Sequence, residues 1–160
     1  MASTLTVDNI VGATSSSNIH IPGHMVQYVE SSTTTQVTLT TGSLTDIMST
    51  TITPKFQNSK FLVEWNCFVY YPGAAASWNA LRTQLFRNST GVYVDGYSLG
   101  SGAIYGAQAY MDYTNQSYLD TPNTTSPITY KIQMASYGAN TIYLQYSAQR
   151  SVMSVTEIAQ

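Results

Sequence analysis

At 160 residues and 17.5 kDa the chain has the size of one domain, long enough to bury a core without disulfides or metals. About a quarter of its positions are Ser or Thr, 13 are Tyr and only 9% are charged, a balance poor in helix formers that points to β structure. A net charge of −2 without a basic block argues against nucleic-acid binding. No apolar run or leader suggests membrane insertion.

Residues 1–24 read as an arm. Leu5, Val7 and Val11 give a short strand-like alternation ending at Gly12, and the Thr14–Asn18 run is a linker by composition. Ile19 and Ile21 alternate again before Pro22-Gly23 turns the chain. So few apolar positions cannot form a core, so Leu5, Val7, Ile10, Ile19 and Ile21 are expected to attach the arm to another chain. Residues 25–160 form the domain, with short strand signals at sandwich spacing. Met25–Glu30, Gln36–Thr40 and Ile47–Thr53 come first, the last ending at Pro54. Lys60–Tyr70 is the strongest, with Phe61, Val63, Trp65, Cys67 and Val69 on one face. Leu62, Glu64, Asn66 and Phe68 lie opposite, with Glu64 and Asn66 expected to face solvent or a neighbouring subunit. Ala74, Trp78, Leu81 and Leu85 sit at helical spacing, yet the run enters the Asn88–Gly91 turn, which favours a strand with Leu81, Thr83 and Leu85 on one face. Ala80–Phe86, Gly91–Asp95, Ile128–Ser136, Thr141–Ser147 and Val152–Ile158 complete the set.

Several phrases recur together in this order: Ser3-Thr-Leu-Thr-Val-Asp-Asn-Ile10, Ile52-Thr-Pro-Lys55 with Ser59-Lys-Phe-Leu-Val63, and Leu85-Phe-Arg-Asn-Ser-Thr-Gly91. Tyr118-Leu-Asp-Thr-Pro-Asn-Thr-Thr-Ser-Pro-Ile-Thr-Tyr-Lys131 and Ser154-Val-Thr-Glu-Ile-Ala159 follow. The set resembles a group of bacteriophage virion proteins, common in marine and cyanobacterial phages, with a short N-terminal arm and a jelly roll like the complement head and tumour necrosis factor. The resemblance implies an all-β jelly-roll sandwich, assembling as a homotrimer with other virion proteins on the particle surface. Tyr93–Tyr118 departs from it as a Tyr- and Gly-rich insert.

Candidate chemistry is sparse. Gly96-Tyr-Ser98-Leu-Gly100 matches a nucleophile elbow, but both histidines precede Ser98, the wrong order for that machinery. His20 and His24 are weak metal candidates, separated by Pro22-Gly23 and lacking a third ligand except by trimer symmetry. Asp95, Asp112 and Asp120 read as turn or surface residues with nothing to pair them as an acid and base. Cys67 reads as a small core residue. No enzyme activity, metal or cofactor is expected. The tyrosines carry the signal: Tyr93, Tyr97, Tyr105, Tyr110, Tyr113 and Tyr118, with Trp78, have the composition of recognition loops that stack on host-surface glycan or protein. The same residues suit a trimer interface equally well.

Overall fold

The computed structural model describes residues 21–40, 42–72, 79–98, 109–138 and 141–160. These form β1 (Met25–Thr33), β2 (Val37–Leu39), β3 (Thr45–Ile52), β4 (Lys60–Tyr71) and β5 (Asn79–Arg87). β6 (Thr90–Ser98), β7 (Tyr110–Asp120), β8 (Ile128–Gly138), β9 (Ile142–Leu144) and β10 (Ser151–Ile158) follow. Setting aside the three-residue β2 and β9, eight long strands remain, and their pairing is concentric. The first pairs with the last (Met25↔Ile158), the second with the seventh (Ile52↔Ile128), the third with the sixth (Phe61↔Asp120) and the fourth with the fifth (Arg87↔Thr90). All of these ladders are antiparallel. β10–β4 and β8–β5 contacts join the pairs into a first sheet, β1-β10-β4-β7 extended by β9 and β2, and a second, β3-β8-β5-β6. One long hairpin wound on itself into two packed sheets is a jelly roll. The expected fold class stands.

Alternation explains which face each strand buries. Phe61, Val63, Trp65, Cys67 and Val69 of β4 turn inward, where they meet Leu81 and Leu85 of β5, Tyr130, Ile132 and Met134 of β8, and Met153 and Val155 of β10. The ambiguous segment resolves as strand: Leu81, Thr83 and Leu85 are all buried, as the strand reading requires.

Two expectations need correction. Residues 110–120, read as part of a loop-like insert, form the eleven-residue strand β7, paired with β4 along its whole length from Asp120 to Tyr110. Its alternation is chemically flat, because the inward side carries Thr114, Gln116 and Asp120 while Met111 and Leu119 point out. The expected Thr141–Ser147 strand stops at Leu144 and gives way to a 3-10 turn at Tyr146–Ala148.

The winding gives the sandwich two distinct ends. The near end gathers the start of β1, the end of β10, the β5–β6 hairpin and the β7–β8 connection. The far end gathers the end of β4, the start of β7, the end of β8, β9 and the 3-10 turn. The chain enters at the near end, where Gly23 N donates to Ala159 O (2.7 Å) and Ala159 N to His24 O (3.0 Å).

Candidate functional site

Aromatic residues converge at the far end. Register places Tyr71 opposite Tyr110, Tyr70 opposite both Met111 and Tyr143, and Phe68 opposite Tyr113. Tyr70, Tyr143 and Tyr146 form a cluster on the outer side of the first sheet, with ring centroids 4.2 Å (70–146), 6.0 Å (143–146) and 6.1 Å (70–143) apart. All three rings are half-buried. Beside them Phe68 is capped edge-on by Tyr113 at 5.1 Å.

Strained backbone holds this cluster. Gln145, Ser147 and Ala148 all adopt left-handed φ (51°, 56° and 59°), which costs a residue with a Cβ about 1–2 kcal/mol each. A buried network holds one side of the turn. Gln145 N donates to Phe68 O (3.1 Å), Gln145 Nε2 to Ser151 Oγ (2.7 Å), and Phe68 N to the same oxygen (3.0 Å). Gln145 is fully buried, so the turn cannot relax without breaking bonds away from water. Sequence reasoning missed this cluster because Tyr70, Tyr143 and Tyr146 come from two strands and a turn that only the winding brings together.

The expected site residues fall in several places. Leu5, Val7, Ile10, Ile19, His20, Trp78 and Tyr105 lie outside the described residues. Ile21 is exposed at the near end. Tyr97 lies in β6. Tyr93 and Tyr118 are strand residues packed against the core, Tyr93 edge-on to Trp65 at 6.1 Å and 5.7 Å from Tyr118, so the loop reading does not hold for them. Tyr110 and Tyr113 are exposed, but on β7. The Tyr110 hydroxyl donates to Asp112 Oδ2 (3.0 Å), and that carboxylate raises its pKa.

The groups weighed for catalysis also have positions. Ser98 ends β6 paired with Leu81. Cys67 is buried, and desolvation pushes its thiol up to about 12, against a small opposing hydrogen bond from Ser151. No group of three or more His, Cys, Asp or Glu is placed to hold a metal among the described residues, His24 included.

Asp120 departs from the surface or turn role expected of it. It is 5% exposed at the near end, paired with Arg87 (2.9 Å), and accepts from the Tyr130 hydroxyl (2.7 Å) and from Thr121 N (2.9 Å). Burial first, then the Asp120 carboxylate, raises the Tyr130 pKa. Nearby Glu157 is fully buried and bridges three segments. It accepts from Ser59 Oγ (2.7 Å), Lys55 N (2.9 Å) and Phe56 N (3.1 Å), and from the Gln27 side chain. These donors supply the compensation that a buried carboxylate needs. Asp120 ties the first sheet to Arg87 and Tyr130 of the second, and Glu157 ties β10 to β1 and to the β3–β4 connection.

The two outer faces differ. The second sheet presents Asp46 bonded to Lys131 and Gln133, with Lys131 Nζ also 5.8 Å from the Phe86 ring centroid. The Gln133 amide, then Lys131, lowers the Asp46 pKa against a small desolvation cost. The first sheet exposes Tyr28 (52%), Met111 (54%), Tyr113 (39%) and Leu119 (52%), against Val94 (52%) and Tyr137 (40%) on the second. Between them lies an open hollow of about 430 Å³, lined by Glu64, Asn66, Asn115, Ser117, Val152 and Ser154. Glu64 and Asn66 thus face outward as their alternation requires, and the Asn66 amide donates to Asn115 Oδ1.

No family model matches the chain, and no curated protein matches its sequence. Among solved structures it is similar to the infectious bursal disease virus VP2 subviral particle, with a TM-score of 0.44 and 11% identity over 84% of this chain and 38% of that one. It is likewise similar to the T=1 particles derived from that virus, with a TM-score of 0.44 and 10% identity over 100% of this chain and 41% of that one. The chain therefore spans about two fifths of the length of these structures. The jelly-roll assignment rests on the concentric strand pairing itself.

Proposed function

We propose that this chain is a non-enzymatic structural protein of a bacteriophage virion, a homotrimeric surface appendage held to the particle by residues 1–24. The observation that carries the reading is the opposition of the two ends. The chain enters beside Ala159 at the near end, while the aromatic cluster of Tyr70, Tyr143 and Tyr146 sits at the far end. The phrase-by-phrase resemblance to phage virion proteins supports the setting, and the jelly-roll winding agrees with it. Copies meet across the outer face of the first sheet, where Tyr28, Met111 and Leu119 leave large side chains in water. Sedimentation equilibrium tests the assembly. Three times 17.5 kDa is expected, a monomer mass overturns the trimer, and Leu119→Arg should shift the mass downward. Deletion of residues 1–20 keeps the Gly23 and His24 bonds to Ala159, so it should leave the trimer intact and abolish loading onto particles.

A second reading, host recognition, is favoured by the far-end aromatics. Tyr110 and Tyr113 are exposed there, and Trp78, Tyr97 and Tyr105 belong to the same candidate set. An appendage anchored at one end presents the other to a cell surface. Loss of attachment to host cells on Tyr110→Ala, with the trimer intact, would support it.

A further inference from the structure

We infer that Tyr70, Tyr143 and Tyr146 form a stacking platform for the pyranose rings of a neutral glycan. The inference deepens the recognition reading and rests on the far end being the free end of the appendage. Three observations carry it. First, the three rings lie within 4.2–6.1 Å of one another and keep part of their surface in water, a compact aromatic patch on which the C–H side of a sugar can pack. Second, their hydroxyls make no hydrogen bond among the described residues, unlike those of Tyr28, Tyr110 and Tyr130, which are spent on Glu30, Asp112 and Asp120. Three phenol tips with no bond among the described residues, beside three rings, match a ligand that is apolar on its face and hydroxylated at its edge. Third, the left-handed backbone at Gln145, Ser147 and Ala148 fixes the arrangement before any ligand arrives, so little ordering cost remains on binding.

Charge selects the ligand class. Arg150 is the only charged residue between positions 141 and 150, and it is paired with Glu30 at the 2.5 Å contact of an ion pair. No free cation is left in this segment to receive a carboxylate or sulfate, so an acidic sugar gains nothing here. A second copy of the chain fits less well. Tyr28, Met111 and Leu119, each more than half exposed, offer a second copy more surface to bury than the three half-buried platform rings do.

Saturation-transfer NMR on the purified full chain tests this without any particle, so its failure is separable from failure of the virion reading, which particle loading reports. The probes are cellohexaose, mannohexaose and maltohexaose, with hexagalacturonate as the acidic counterpart. Transfer to the ring protons of at least one neutral hexamer is expected, and none to hexagalacturonate. Tyr143→Ala should weaken binding tenfold or more at unchanged sedimentation mass. If that variant fails to fold, Tyr143→Phe with Tyr146→Phe keeps the rings and should still weaken binding about threefold through the lost hydroxyls. No transfer to any neutral hexamer overturns the inference, as does equal transfer to hexagalacturonate. Unchanged affinity in the substituted chains, or a fall in their sedimentation mass, also overturns it.

Discussion

The near end of the sandwich is held by buried carboxylates and the far end by aromatic rings on strained backbone. At the near end, Glu157 and Asp120 each collect donors from segments far apart in sequence, so every lone pair turned from water has a partner close by. At the far end Gln145, Ser147 and Ala148 sit at positive φ, which at the near end falls to Asn88 and Asn123, a residue type that tolerates it, and the far-end rings make no hydroxyl bond among the described residues. One end has satisfied its polar groups internally. The other holds unfavourable backbone in place and leaves hydrogen-bonding capacity for something outside the chain. The proposed function, anchoring at one end and recognition at the other, would use this division, because rigidity at the root costs nothing in recognition.

The largest effect should come from breaking the near end. Glu157→Ala strands the backbone amides of Lys55 and Phe56 and the Ser59 hydroxyl in a buried site, and should cost about 3 kcal/mol or more in chemical denaturation. Asp120→Ala should cost about 2 kcal/mol, since it leaves the buried Tyr130 hydroxyl unpaired while the partly exposed Arg87 can turn to water. A drop below about 0.5 kcal/mol in either variant would dissolve the contrast between the ends.

The far end responds differently. Cys67 sits in the far half of β4, and its raised pKa means that folding favours the protonated thiol. That contribution is intact up to the ordinary value of 9.0 and is lost as pH climbs toward about 12. Alkaline unfolding should therefore begin above pH 9, and Cys67→Val should move it upward. At pH 8 the folded thiol should resist iodoacetamide. Smallest of all, and opposite in sign to the near-end losses, Ala148→Gly should raise stability by about 1 kcal/mol by removing the Cβ from a left-handed position. If it destabilises instead, the turn is not strained and the contrast loses its second half.

Much of the fold was legible in the sequence wherever one face of a strand is uniformly apolar. Phe61, Val63, Trp65, Cys67 and Val69 declare β4 without ambiguity, and Leu81, Thr83 and Leu85 favour a strand for β5. β7 escaped because period-2 contrast is what betrays a strand, and Thr114, Gln116 and Asp120 point inward there while Leu119 points out. Its partner β4 holds it in place instead. Glu157 did leave a signal, sharing parity with the buried Met153, Val155 and Ala159; a carboxylate in that row needs donors. The tyrosine platform left none, because residues 70, 143 and 146 become neighbours only after the chain has wound up.

That winding also bears on how the protein is made. β1 spans residues 25–33, and among the described residues its only ladder is with β10, residues 151–158. During synthesis the first strand therefore waits, unpaired and with Val29 uncovered, until residues 151–158 have left the ribosome. Closure over so long a loop places folding in the range of about milliseconds to seconds, far slower than helical proteins of this size. If copies associate, the first sheet they offer one another is a finished surface, since β10 lies between β1 and β4 and no partial chain can present it.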